Sequence, residues 1–316
     1  MYEAYWRLNH KPFENATDPR FYYPGESHQA TLLKLRYAIE NRRGGALLAG
    51  AAGSGKTLVV NMLRRLLGEA FTPLAHLVFP EMSTAELLAY LADALDGGPG
   101  GMLSRPGTLW VASGEHGEFD HADPRLTSAS SVESRCVTAY HPTVCGSVSV
   151  QQSVRRIEQF LGQNTEQGRH AVVVVDEAHL LESPRTFEAL RLLINFECEG
   201  RPGLTLILSG QPGLLPALER MPQFEERLAV KCLLRPFTEH ETAEYVAHRL
   251  KVAGAVRPIF EPDALPRLHT LTHGIARRIN RLCDLALLIG FAEERQTLTA
   301  AHLEAVCQEL AVVAPE

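Results

Sequence analysis

The chain has 316 residues, 45% of them apolar and 22% charged, and a net charge of −6. That length allows a large core or two smaller domains, and the composition is ordinary for a soluble globular protein. The acidic balance excludes a whole-protein positive field for nucleic acid, scattered cysteines without a C-x-x-C pair exclude a zinc or disulfide framework, and no apolar run reaches the ~18 residues of a membrane span.

No early apolar run has the character of a signal peptide, so the expected compartment is reducing and cytoplasmic. Residues 1–26 read as an irregular, aromatic-rich N-terminal arm carrying Tyr2, Tyr5, Trp6, Phe13, Phe21, Tyr22 and Tyr23, interrupted by prolines. Most of these rings are expected to pack on the core, with one or two near Phe21–Tyr23 available to a nucleotide base. Ser27 is the expected N-cap of a helix over 28–41, with Leu32, Leu35 and Ile39 on one stripe.

Ala46 to Ala49 read as a short buried strand. It runs into Gly50-Ala51-Ala52-Gly53-Ser54-Gly55-Lys56-Thr57, which fits G-x-x-x-x-G-K-[ST] at every fixed position, and residues 58–67 follow with helical periodicity. Strand, glycine loop and helix together form a phosphate cradle: the glycines let successive N–H groups face one concavity at the positive end of a helix. Lys56 is expected to reach the β- and γ-phosphates of ATP and the Thr57 hydroxyl to bind Mg²⁺. A strand near 75–79 comes next, then a helix over 84–95 opened by a Ser83/Glu86 capping box.

Residues 97–150 break the pattern. They are dense in Gly, Ser and Pro and contain no Lys, and they read as an inserted segment of low order. Its His116, His121, His141, Cys136 and Cys145 match no metal-ligand spacing. A helical stripe resumes at Val154, Ile157 and Leu161.

Ala171 to Val175 are five apolar, mostly β-branched residues, expected as a central parallel strand ending at Asp176-Glu177-Ala178-His179. Ligands of open α/β sheets bind at such carboxyl ends. Asp176 is the second expected Mg²⁺ holder, and Glu177 the residue that orients and polarises the attacking water. Ser183-Pro184 opens a helix to about 197. Strand 204–208, a short helix over 214–220 and a fifth strand over 229–234 complete an alternating α/β pattern from 46 to 236. Ser209 and Gln211 are both placed to read the γ-phosphate, and Gln211 has the longer reach. Arg227 is the first candidate for an arginine offered across a subunit boundary, and Arg220 the second.

From Thr238 the pattern is all-helical, opened by a Thr238/Glu241 capping box. Residues 267–281 contain Arg267, Arg277, Arg278 and Arg281 and no Asp or Glu. Arg277 is positioned to fold back onto the γ-phosphate, and Arg278 and Arg281 to face nucleic acid, an acidic partner or simply solvent. The expected organisation is an arm over 1–26, an α/β core over 27–236 and a helical lid over 237–316.

These residues together resemble the AAA+ ATPases of the general secretion pathway protein A (ExeA-like) type. The resemblance rests on the opening Met1-Tyr2, Lys11-Pro12-Phe13, Asp18 to Tyr23 and His28, on both phosphate-site motifs, on Leu208-Ser209-Gly210-Gln211-Pro212, and on Gly274 to Asn280 followed by Leu282-Cys283-Asp284. Ala276 stands where that family usually has proline. The resemblance implies a P-loop NTPase fold, a nucleotide between core and lid, Arg277 as the lid arginine that senses it, and a homo-oligomer whose neighbouring arginines complete the sites. The leading expectation is an ATP-hydrolysing switch that acts on a protein client. The alternative is a DNA-binding AAA+ ATPase of transposition or mobile-element type, supported by the basic lid segment alone.

Overall fold

A computed structural model of the chain describes residues 1–15, 18–78, 80–96, 149–181, 183–198 and 200–312. The inserted stretch over 97–148, with its histidines and two cysteines, therefore lies outside the described residues, as does Phe79 at the end of the second expected strand. The α/β region comprises α2 (Glu26–Glu40), β1 (Gly45–Gly50), α3 (Lys56–Leu66), β2 (Leu74–Leu77), α4 (Thr84–Asp96), α5 (Val150–Glu166), β3 (Ala171–Val175), α6 (Pro184–Ile194), the two-residue strands β4 (Glu197–Cys198) and β5 (Arg201–Pro202), β6 (Leu204–Gly210), α7 (Leu214–Glu219), α8 (Pro222–Glu225) and β7 (Leu228–Leu234). A short helix α1 (Glu3–Trp6) precedes it, and α9 (Glu239–Val252), α10 (Ala264–Thr272), α11 (Ala276–Ala292) and α12 (Ala300–Val312) follow.

Five strands form one parallel sheet in the order β2-β3-β6-β1-β7. Their near-continuous apolar runs follow from burial on both faces. Alternate residues divide between two cores. Leu47, Val173, Val175, Leu206 and Leu208 face α4 to α8, while Ala46, Leu48, Val172, Val174 and Ile207 face α2 and α3. The register pairs Ala49 with Gly210 and Val175 with Leu208, so the carboxyl ends of β1, β3 and β6 open on one edge. That edge carries the glycine loop and the acid pair.

Several local expectations shift. The helix expected from 28 begins at Glu26, and Gly25, not Ser27, is its N-cap. Gly25 packs against Phe237, and the Glu26 N–H donates instead to Glu241 Oε1 at 3.0 Å, a carboxylate supplied by α9. The Ser27 hydroxyl is free for another task and accepts from the Arg235 N–H at 3.1 Å. Helix α5 begins at Val150, ahead of the expected Val154, because Ser149 and Gln152 form a capping box. Helix α6 stops at Ile194, short of 197, because β4 turns back onto β5 as a minimal antiparallel ladder.

The arm is more regular than expected. Besides α1 it contains a 3₁₀ turn, Pro19–Phe21, capped by Asp18. Its rings pack on the helical region and not on the sheet: Tyr2, Trp6, Phe13 and Phe21 share one buried cluster with residues of α9 to α12. Polar contacts fix the same arrangement. Trp6 Nε1 donates to Leu287 O at 2.9 Å, Tyr2 Oη donates to Asp284, and Arg249 of α9 donates to the carbonyls of Pro12 and Glu14. The Arg249 guanidinium also lies 4.8 Å from the centre of the Phe21 ring, within cation–π range. Among the described residues, no helix is long and apolar enough to cross a membrane, and Cys198, Cys232, Cys283 and Cys307 are free thiols.

Candidate active site

The glycine loop joins the end of β1 to the start of α3. Gly53 and Gly55 hold φ of 77° and 100°, a left-handed backbone that side chains resist. Space forbids a side chain at Gly50 as well, since an added Cβ would lie 2.9 Å from Ser54 Oγ and 3.1 Å from Leu234 O. The tight turn brings backbone N–H groups to the N-terminus of the eleven-residue α3, the arrangement that binds phosphate. Lys56 Nζ folds back and donates to Gly50 O at 3.0 Å and Ala51 O at 3.1 Å. Burial lowers the Lys56 pKa, against the pull of Glu177 and Asp176, and Arg277 lowers it further. Glu177, Asp176 and Arg277 thus all act electrostatically on one ammonium. The buried Ser54 hydroxyl has no hydrogen-bond partner. A loop with an orphaned donor and a desolvated ammonium held only by carbonyls fits an incoming polyphosphate.

Asp176 stands at the end of β3, and the sheet register brings it across to α3. The Thr57 hydroxyl donates to Asp176 Oδ2 at 2.9 Å, and the Ser209 hydroxyl to Oδ1 at 2.7 Å. His76 on β2 places Nε2 at 3.5 Å from Oδ2, and the Glu177 N–H donates to Oδ1 at 3.0 Å. Burial pushes the Asp176 carboxyl up, but the nearby His76 ring, the two hydroxyls and the Glu177 N–H more than offset it and hold the pKa at about 2. Asp176 is therefore an anion at neutral pH. Thr57 and Asp176 form a pair of hard oxygen donors, which suits Mg²⁺ when phosphate oxygens supply the remaining ligands. Among the described residues, no group of three His, Cys, Asp or Glu could hold a metal without such help.

Glu177 adopts a left-handed backbone with φ of 49° and opens the 3₁₀ turn Ala178–Leu180. Its side chain is 42% exposed, and its Oε2 lies 3.4 Å from His179 Nδ1. The two candidate γ-phosphate readers do different things. Ser209 binds Asp176, whereas the Gln211 side chain meets His179, Nε2 to Nε2, at 2.9 Å.

The helical region closes on the loop at two points. The Arg277 N–H, in the first turn of α11, donates to Gly53 O at 3.1 Å, and a Cβ at Gly53 would come within 2.6 Å of the Arg277 Cβ. His28 of α2 donates from Nε2 to Ser54 O at 3.0 Å, and its ring stacks on Phe237 at 5.0 Å. Phe237 in turn donates its N–H to Gly274 O at 2.9 Å, just before α11.

Arg227 lies exposed at the amino end of β7, the opposite end of the sheet from the glycine loop. Arg220 is exposed too and lines a groove with Phe187, Met221 and Phe224. The basic stretch over 267–281 is partly neutralised, because Arg267 pairs with Glu304 of α12 at 2.6 Å. Arg277, Arg278 and Arg281 are exposed. Two site residues had no sequence signal: His76 lies in a four-residue strand without a motif, and His179 appears only as the last letter after the acid pair.

Comparison with known proteins gives a consistent picture. Residues 39–218 match the family model described as AAA domain. General secretion pathway protein A of Aeromonas hydrophila is 30% identical over 319 residues, covering 100% of this chain and 50% of that protein. The chain thus spans about half the length of that curated relative. Among solved structures, the Aeropyrum pernix ORC2 protein in its ADPNP–ADP complexes matches with a TM-score of 0.61 at 15% identity, covering 95% of this chain and 72% of that one. Drosophila ORC bound to DNA matches with a TM-score of 0.62 at 15% identity, covering 95% and 64%. At such identities these structures establish the shared P-loop architecture of a parallel sheet with a helical region after it.

Proposed function

Because the chain belongs to the AAA domain family, we propose that it binds and hydrolyses ATP as a homo-oligomeric switch that remodels or recruits a protein client. One observation carries this reading: the Thr57 hydroxyl of the glycine loop donates to the Asp176 carboxylate at 2.9 Å, one residue along from Lys56. Bound there, Mg²⁺ would neutralise charge on the phosphate oxygens.

The chain's own residues supply the rest. Lys56 exchanges its two carbonyl partners for phosphate oxygens. Ser209, Thr57 and His76 keep Asp176 ionised and aimed. Glu177 orients a water whose oxygen attacks the γ-phosphorus; the bond to the β-phosphate oxygen breaks, and the water proton passes to the carboxylate. Gln211 reads the γ-phosphate. Arg277, anchored through its backbone to Gly53, brings a second cation from the lid. Arg227 lies at the opposite end of the sheet from its own glycine loop, so a catalytic role for it requires a neighbouring subunit. The identity with general secretion pathway protein A supports a protein client, and such a switch works in the cytoplasm, where ATP is held.

A second reading is a DNA-binding ATP switch of transposition or mobile-element type. The exposed Arg278 and Arg281 on α11 favour it, as does the likeness to an ORC structure bound to DNA. The deciding experiment for the lead reading is Glu177→Gln. The variant is expected to bind ATP with parental affinity and to release phosphate at least about 100-fold more slowly. Hydrolysis at the parental rate would remove Glu177 from the mechanism. The ATP-loaded variant should also retain its client longest in pull-down.

A further inference from the structure

The first turns of α6 and the corner between α7 and α8 wall a groove of about 460 Å³, within the range of roughly 300–1,000 Å³ usual for ligand sites. Packing fixes its floor. The Phe187 ring meets Phe224 edge-on with centres 5.8 Å apart, and both rings belong to the core cluster that holds Val173 and Leu208. Met221 packs on the same cluster but stays half-buried. Arg185 comes from one wall and Arg220 from the other, and both are exposed. Among the described residues, neither guanidinium has an ion pair or a hydrogen bond. The acid in the lining, Glu188, is already engaged, because Arg191 donates to its carboxylate from Nε at 2.8 Å and from Nη2 at 2.6 Å. The groove thus joins an apolar floor to two uncommitted cations.

We propose that this groove holds the protein client, by a short segment that presents a bulky apolar side chain flanked by carboxylates. This rests on the client reading above and adds the chemistry of the segment. Each part of such a segment answers one part of the groove. A guanidinium offers a planar fork that matches a carboxylate, so Arg185 and Arg220 select acidic residues. Methionine is unbranched and polarizable, so Met221 adapts to apolar side chains of differing shape. Arginine, methionine and aromatic residues are also the types enriched at protein interfaces. Nucleic acid fits less well, since a phosphate backbone is tracked by a stripe of cations and gains little from an apolar floor.

The test pans random heptapeptides displayed on phage against the full chain without nucleotide, and the enriched peptide is synthesised with a fluorescent label. Enrichment of an apolar residue between acids is expected. The labelled peptide should also shift the Met221 methyl resonance of ¹³C-methyl-methionine protein. Its affinity, read by anisotropy, is expected to fall at least about tenfold in Arg185→Glu/Arg220→Glu and to return to within about threefold when the acids of the peptide are replaced by lysine. Only a folded groove gives that recovery. A panning that enriches no acidic sequence, a Met221 methyl unmoved by the peptide, or equal affinity in parent and double variant overturns the proposal. Self-association of the parent that the double variant loses, with no peptide enriched, makes the groove a seam between copies and overturns it too. A client retained equally by Glu177→Gln with and without the two charge reversals would keep the client reading and remove the groove from it. Peptide binding at the groove in a chain that releases no phosphate from ATP would count against the ATPase reading alone.

Discussion

Glu241→Gln tests how the lid is fastened to the core. The Glu241 carboxylate accepts from Arg235 Nη1 at 2.6 Å, from the Thr238 N–H at 2.8 Å and from the Glu26 N–H at 3.0 Å. One side chain thus caps both α9 and α2 and pairs with the cation that follows β7. Burial raises its pKa, but Arg235 and the two backbone N–H groups lower it more, to about 2 from an ordinary 4.5. A carboxyl with a depressed folded-state pKa stabilises the fold above its unfolded pKa and loses that contribution as the pH falls toward the folded one. The full shift corresponds to about 3 kcal/mol. Arg235 is 37% exposed and screened by water, which reduces the figure to about 1–2 kcal/mol. By linkage roughly two-fifths of it remains at pH 3. Urea unfolding of parent and variant is therefore expected to differ by about 1–2 kcal/mol at pH 7 and by less than half of that at pH 3. A gap that does not narrow with acid, or no gap at pH 7, would refute the assignment of the charge.

Lys56→Ala removes the only ammonium on the glycine loop and should weaken ATP binding by about 10- to 100-fold in titration calorimetry; unchanged affinity would count against the phosphate cradle. Gly274 holds φ of 67°, and a Cβ there would lie 2.0 Å from Phe237 O. Gly274→Ala must therefore move backbone and break the Phe237–Gly274 hydrogen bond, an expected loss of about 3 kcal/mol or more on denaturant unfolding. Duplex DNA binding measured by fluorescence anisotropy separates the two functional readings: an ATP-dependent affinity that falls steeply with salt and drops in Arg278→Ala/Arg281→Ala favours the DNA switch, and no binding at low salt favours the protein client.

The parts of the site that are contiguous in the chain are legible from their letters alone. Gly50 to Thr57 carry their loop, their helix N-terminus and their cation in one unbroken run. Asp176 and Glu177 follow an apolar strand that has one sensible place in a sheet. What the sequence withholds depends on register and on distant partners. His76 reaches Asp176 only because β2 pairs with β3 so that His76 lies opposite Val174. Glu241 reads correctly as the second half of a capping box, but its service to Glu26 needs the lid to lie against α2. Arg267 belongs to an acid-free run in sequence, and Glu304 arrives from another helix. Ser209 and Gln211 are equivalent candidates by position; a single residue between them on a strand end sends one to Asp176 and the other to His179. Ser27 has the chemistry of a cap because serine usually is one, and the competing carboxylate lies outside its neighbourhood in the chain.

The packing of Tyr2, Trp6, Leu8 and Phe13 among α9 to α12 bears on how the lid can travel. The chain enters the core from that bundle through the segment before Glu26 and returns to it through Arg235 to Thr238. A flap joined by one strap can tilt in any direction; a door hung on two pins turns about the line between them. Nucleotide-driven motion here should thus be a rotation about a single axis, and cutting the chain near residue 18 should convert the door into a flap.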